Sequence, residues 1–207
     1  PAPPPTPAPP PTPAPPPTPP TPAPPSADIV VIGDSWGAFG GKAFAKMASA
    51  HNLTVANHAI SGSLAAQWAA KGKDIAKYLA ANPRARWVWL TAGGNDCLAA
   101  LPERVPIAAV MAELTAAVGA IVAAVAKAAP AVRVVQFGYD LLGWDLSAQC
   151  SKLAAEAFYM CANATDHQCV NANFERMQGT MDALARALPG GRYTAIDLLG
   201  TLQAAAN

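Results

Sequence analysis

Three short segments hold residue types that could perform one reaction together: Gly33-Asp34-Ser35-Trp36-Gly37, Ile60-Ser61-Gly62-Ser63 and Ala92-Gly93-Gly94-Asn95-Asp96. Each contains glycine, which permits tight turns and close backbone approach. The first offers a hydroxyl, the second a backbone N–H and the third a side-chain amide. Acyl transfer needs that set: a serine hydroxyl to attack an ester carbonyl, and two or three fixed donors for the oxygen that becomes negative. Ser35 is the candidate nucleophile. The N–H groups of Ser35 and Gly62 and the amide of Asn95 are the candidate oxyanion donors. Removing one such donor typically raises the barrier by about 3 kcal/mol.

These segments can act together only if the surrounding elements bring them to one place. Short apolar runs at 28–32, 54–58, 86–91, 132–137 and 193–198 read as buried strands. Between them, 40–50, 67–81, 106–129 and 171–188 read as helices. Asn82-Pro83 ends the second helix and Pro130 the third, because proline cannot continue a helix. Phe174, Met177, Met181, Leu184 and Leu188 share one face of the last. Strands that are apolar throughout and alternate with helices imply a parallel sheet covered on both faces. The expected fold is a three-layer, doubly wound (flavodoxin-like) α/β domain with five parallel strands. Ligands of such sheets bind at the carboxyl ends of the strands. The three segments directly follow the first, second and third strands.

Order and placement of these segments resemble the SGNH, or GDSL-like, hydrolase family. Gly33-Asp34-Ser35 is similar to its first block, with Trp36 where leucine is usual; Gly62 matches the second-block glycine, and Gly93-Gly94-Asn95-Asp96 matches the third, Gly-x-Asn-Asp. The resemblance runs from Asp28 to about Leu199. It implies a serine esterase acting on carboxylic esters, with Ser35 as nucleophile and Gly62 and Asn95 completing the oxyanion hole. Asp34 would then hold its loop rather than join a triad. The family's last block, Asp-x-x-His, supplies base and orienting carboxylate. Here Asp197-Leu198-Leu199-Gly200 carries glycine at the histidine position.

The three histidines lie elsewhere, at His51, His58 and His167. His51 follows a helix end and is expected in solvent. His58, at the end of the second strand, is expected to pack or bond locally. His167 stands beside Asp166 in a cysteine-rich stretch, where a substitute base is conceivable. Two explanations follow: the final block lies downstream of Asn207, or the domain is a pseudoenzyme. The first is preferred, because Thr201-Leu202-Gln203-Ala204 reads as the start of a connection. Either way the chain itself should turn over poorly.

Residues 1–25 are different in kind, holding 17 of the 22 prolines and opening with three copies of Pro-Ala-Pro-Pro-Pro-Thr. Proline fixes φ and removes the N–H donor, leaving polyproline II as the regular state. At 3.1 Å per residue the tract could reach about 75 Å, as a spacer or a decorated stalk contacting a cell wall or matrix. Two units are therefore expected: a proline-rich linker at 1–25, and an SGNH-type domain at 26–207, C-terminally incomplete. Segment 141–170 interrupts the strand-helix rhythm; it reads as a lid or specificity loop, with Trp144, Phe158 and Tyr159 available to line a pocket or pack the insertion down.

A net charge of +1 with 13% charged residues and no basic stripe argues against a nucleic-acid partner. The apolar run 114–126 is too short for a membrane span, and its spacing is that of a buried helix. Cys97, Cys150, Cys161 and Cys169 lack zinc-site spacing and allow three disulfide pairings. Cys161–Cys169 and Cys97–Cys150 are the favoured ones. With the sequons Asn52-Leu53-Thr54 and Asn163-Ala164-Thr165, they suit a secreted or cell-wall protein. No cofactor or metal is expected. A P-loop is excluded, since Gly41-Lys42 precedes Ala43 and Trp36 stands where its first glycine belongs. A flavodoxin-like binder and a non-catalytic carbohydrate- or wall-binding protein remain as competing readings.

Overall fold

A computed structural model describes residues 26–99, 105–140 and 167–201. Five strands form one sheet: β1 (Ile29–Gly33), β2 (Val55–Asn57), β3 (Trp87–Thr91), β4 (Arg133–Phe137) and β5 (Tyr193–Ile196). Their order is β2-β1-β3-β4-β5, and every neighbouring pair is parallel. The helices are α1 (Ser35–Ala50), α2 (Ala65–Ala70), α3 (Gly72–Ala81), α4 (Gly94–Ala99), α5 (Ile107–Ala128) and α6 (His167–Ala187). From β1 the chain turns to one side for β2 and to the other for β3, β4 and β5. The carboxyl ends of β1 and β3 therefore flank the crevice where such sheets bind ligands.

β1 is buried at all five positions, as an Ile-Val-Val-Ile run in a sheet covered on both faces must be. Alternation along the strands divides the core in two. Val30, Ile32, Val88, Leu90 and Val134 face the larger half, where they meet Trp68, Ile75, Leu79, Met177, Met181 and the buried side of α5. Ile29 and Val31 face the smaller half with Ala48, Phe44 and Trp89. Gln136 is a fully buried polar residue of β4, and its amide is satisfied. It donates to the Ala92 carbonyl at 2.8 Å and accepts from the Tyr193 hydroxyl at 2.9 Å, joining the ends of three strands.

Several elements depart from expectation. α1 starts at Ser35 rather than residue 40. Its early glycines weaken a helix locally, but they are contact points. A Cβ on Gly41 would lie 2.0 Å from Asn57 Nδ2, and one on Gly37 2.8 Å from Ala59 Cβ. The helix expected at 67–81 breaks at Lys71 into α2 and α3. The break precedes a glycine and lets both Trp68 and Ile75 reach the core. α4 was not anticipated, and α6 begins four residues early, at His167. α5 has 22 residues and is long and apolar enough to cross a bilayer, which the shorter run 114–126 concealed. Here its Val110, Leu114, Val118, Ile121 and Val125 are buried against the sheet.

Cys97 corrects another expectation: it is a free thiol, so the Cys97–Cys150 bridge is not formed. On α4 its side chain faces the larger core cluster, and burial pushes the thiol up to about 12. The proline tract, most of segment 141–170 with Trp144, Phe158 and Tyr159, and the Cys161–Cys169 pair lie outside the described residues and side chains.

Candidate active site

β1 ends in Gly33, which has φ of +127°, in the left-handed region that favours glycine. A Cβ there would lie 1.9 Å from the Thr91 carbonyl oxygen, so the ends of β1 and β3 approach closely only because residue 33 lacks one. Asp34 follows as the N-cap of α1, its carboxylate accepting from the Trp36 N–H at 3.0 Å. Its own N–H donates to the Thr91 carbonyl at 2.9 Å and to Thr91 Oγ1 at 3.0 Å. Ser35 is thus the first helical residue, half-buried, at the positive end of the helix dipole.

The second loop is fastened beneath the first. The Gly33 carbonyl accepts from the Ile60 N–H at 2.8 Å, from Ser63 Oγ at 2.9 Å and from Trp68 Nε1 at 3.1 Å. Ser63 Oγ also accepts from Trp68 Nε1 at 2.8 Å. Gly62 sits in the exposed turn closed by the Ser63 N–H donating to Ile60. Its φ of +77° suits glycine, and a Cβ there would meet open space. The third loop reaches the second through two side chains. Asn95 Nδ2 donates to the Ser63 carbonyl at 3.1 Å, which leaves the second amide hydrogen for another acceptor. The Asp96 carboxylate accepts from the Ala65 N–H at 3.0 and 3.2 Å.

The structure therefore brings together the three loops that carry Ser35, Gly62 and Asn95. They are cross-linked through Gly33, Ser63 and Thr91 rather than by bonds between the three residues themselves. Two acids, the buried Asp34 and the half-buried Asp96, shape the local field. Burial raises the Asp96 carboxyl above its usual range, backbone N–H groups partly offset this, and the nearby Asp34 charge adds to it. The Tyr139 hydroxyl donates to the second Asp34 oxygen. Burial, then the Asp34 charge, holds that phenol well above its ordinary value, so it stays a donor.

None of the described histidine side chains meets Ser35. His51 caps the far end of α1, about 24 Å along the helix at 1.5 Å per residue. His58 stacks on Tyr78 with ring centroids 3.8 Å apart, and burial lowers its pKa. His167 opens α6, and its side chain lies outside the described set. Residue 200 is a turn glycine with φ of +79°. The Asp197 carboxylate accepts from the Leu199 N–H at 2.8 Å, the Thr201 N–H donates to Leu198, and Asp140 accepts from the Gly200 N–H at 2.6 Å. Asp197-Leu198-Leu199-Gly200 is thus a self-contained turn clasped to the end of β4.

Sequence reasoning did not single out Tyr139, Ser63, Trp68 or Thr91. Tyr139 and Thr91 could have been found, because each stands at the carboxyl end of a strand. Ser63 lay within the second segment without a role assigned to it, and Trp68 carried no such signal. A cavity of about 210 Å³ adjoins the site, walled by Trp36, Trp89, Thr91, Phe137, Tyr139 and Leu198. It is larger than the ~150 Å³ apolar cavity known to take up benzene.

No protein-family model matches this sequence, and no curated protein matches it. Solved structures do match. An extracellular lipase from Streptomyces rimosus aligns at 20% identity and TM-score 0.56, over 86% of this chain and 82% of that one. An acetyl-xylooligosaccharide esterase from Geobacillus stearothermophilus aligns at 15% identity and TM-score 0.56, over 89% and 81%. Phospholipase A1 from Streptomyces albidoflavus aligns at 18% identity and TM-score 0.52, over 82% and 78%. The chain has the α/β fold of the SGNH, GDSL-like hydrolases. At these identities the likeness speaks for the fold, and the chemistry rests on the residues above.

Proposed function

We propose that this chain is a serine esterase of the SGNH type, acting on carboxylic esters through an acyl-enzyme. One observation carries the reading: the loops after β1, β2 and β3 are bonded to one another around Gly33 and Ser63 at the switch point of the sheet. Ser35 Oγ attacks the ester carbonyl carbon, and its proton leaves to a base. The carbonyl oxygen becomes negative, facing the N–H groups of Ser35 and Gly62 and the spare amide hydrogen of Asn95. The carbon–oxygen bond to the leaving alcohol breaks, and the alcohol takes a proton. Water then attacks the acyl-serine, releasing the acid and restoring Ser35. The helix dipole at Ser35 favours the same negative charge. No described residue supplies the base, so the reading assigns nucleophile and oxyanion donors only.

A second reading has one observation in its favour. Gly200 is a turn residue in a left-handed conformation, at the position where the family carries histidine. That suits a domain with the hydrolase fold and a binding role, presented on the proline-rich segment at a wall or matrix. The exposed turn holding Asn52 leaves its sequon accessible, which supports a secreted or cell-wall setting for either reading.

Labelling with a fluorophosphonate separates the two. The esterase reading expects modification at Ser35, located by peptide mass spectrometry, in the gene product read through its own stop codon. It also expects Ser35→Ala to abolish labelling and ester turnover while moving stability by no more than about 0.5 kcal/mol. Absence of label from that protein would leave the binding reading standing.

A further inference from the structure

Helix α1 is inside out. The residues it buries are small: Gly37, Gly41 and Ala48, at steps of four and seven. Of its four large apolar residues only Phe44 packs inward, against Trp89, while Trp36 is 60% exposed, Phe39 78% and Met47 64%. Together with the exposed Ala43 they recur at steps of three, four and four, which is one stripe along the helix. The buried side explains itself, since Asn57 and Ala59 approach too closely for any side chain at residues 41 and 37. The exposed side has no such account, because no packing within the described fold needs a Phe or a Met there. A contiguous exposed apolar stripe of this kind marks an interaction surface.

The charges on the helix and the place of the stripe indicate the partner. α1 carries Lys42 and Lys46, both exposed, and no acidic residue. A row of Trp, Phe and Met flanked by lysines has the composition of a helix that lies in a lipid interface with its apolar face down. The stripe begins at Trp36, which also walls the 210 Å³ cavity and follows Ser35 directly. From Trp36 to Met47 it spans about 16 Å at 1.5 Å per residue. A polysaccharide fits less well. Sugar rings stack on aromatics with hydrogen-bonding groups beside them, whereas Phe39, Ala43 and Met47 offer none.

We infer that the exposed face of α1 docks on an anionic lipid surface, seating the Ser35 end of the helix against esters in that surface. The docking itself is independent of catalysis. Its bearing on substrate, lipid esters presented in an aggregate, rests on the esterase reading above.

The test is co-sedimentation of the full 207-residue chain with vesicles of phosphatidylcholine alone or mixed equally with phosphatidylglycerol. Binding to the mixed vesicles, and much weaker binding to the neutral ones, is expected. Phe39→Ser with Met47→Ser should weaken binding about tenfold or more. Lys42→Glu with Lys46→Glu should lose about fivefold for each lysine removed, and most of the preference for anionic lipid. All four side chains are exposed, so the variants should keep the melting temperature of the parent, and circular dichroism checks this. Sedimentation velocity and an insoluble acetylxylan pull-down complete the experiment. Several results would overturn the proposal: no vesicle binding, binding that survives both double variants, a dimer that Phe39→Ser with Met47→Ser converts to monomer, or retention on acetylxylan in place of vesicles. Vesicle binding by this chain, with no fluorophosphonate labelling of the gene product that extends to its own stop codon, would uphold the docking surface and count against the esterase reading alone.

Discussion

Asp34 shows how one buried side chain can join the start of a helix to the end of a strand. It is 1% exposed and lies next to the candidate nucleophile. Its two oxygens are occupied, one by the Trp36 N–H and the other by the Tyr139 hydroxyl. A buried carboxylate stripped of a donor bears the desolvation penalty directly. Tyr139→Phe should therefore destabilise the fold by about 1–3 kcal/mol, read as a lower urea midpoint at unchanged slope. The ring would keep its stack on Phe174 and its edge contact with Trp36, so the loss would report the hydroxyl. At this scale the placing of the loops that hold Ser35 and Asn95 was legible in the sequence, because a glycine-rich loop after an apolar strand is a local pattern. The bond between Tyr139 and Asp34 was not, because the two stand 105 residues apart in the chain.

Elements were legible where their pattern was regular. The five strands fall within a residue or two of expectation, and their alternation with helices foretold the parallel sheet. Errors cluster where glycine performs a tertiary task. Local propensity argues against a helix through Gly37, Gly40 and Gly41, but β2 and its loop require that helix to pack closely. The join between the second and third loops has a titratable consequence. Asp96 holds the start of α2 at Ala65, and its carboxyl is raised from 3.8 by burial. A raised folded-state value means the native protein binds the proton more tightly than the unfolded chain does. The Asp96 contribution is thus most favourable below pH 3.8 and diminishes as pH rises through its folded value. Asp28 acts in the opposite sense: hydrogen bonds from the Thr54 backbone and hydroxyl lower its pKa. Its contribution is present above 3.8 and is lost as pH falls through the folded value. Asp96→Asn should remove only the first slope. Denaturation midpoints of variant and parent, followed upward from about pH 4, should converge at the acid end and separate in favour of the variant as pH rises. A constant offset would show that Asp96 is protonated throughout or acts only as a strut.

Across the whole molecule, the described fold begins at Ser26. Its carbonyl accepts from the Arg84 guanidinium, and its hydroxyl oxygen accepts from the Arg84 N–H at 3.0 Å. Those bonds fasten the start of the described fold to the turn before β3. Deletion of residues 1–25 should therefore leave the melting temperature unchanged within error, measured by calorimetry. A drop of several degrees would show that the tract packs on the domain and is no linker. Fold class was the most legible property of the sequence, since it depends on the sum of many apolar positions. A base for Ser35 was not legible, since which side chain approaches a hydroxyl is decided by the fold and not by a local pattern.

The Gly33 carbonyl oxygen has a consequence for anyone who would redesign this protein. Two donors from the second loop and one from α2 converge on that single atom, and the peptide it belongs to carries the Asp34 N–H into the end of β3. Loops joined in this way are not interchangeable modules. Substitutions in one will shift the optimum in the others, so their effects will not add. A new specificity would have to be selected in the three loops together, on libraries that vary them jointly.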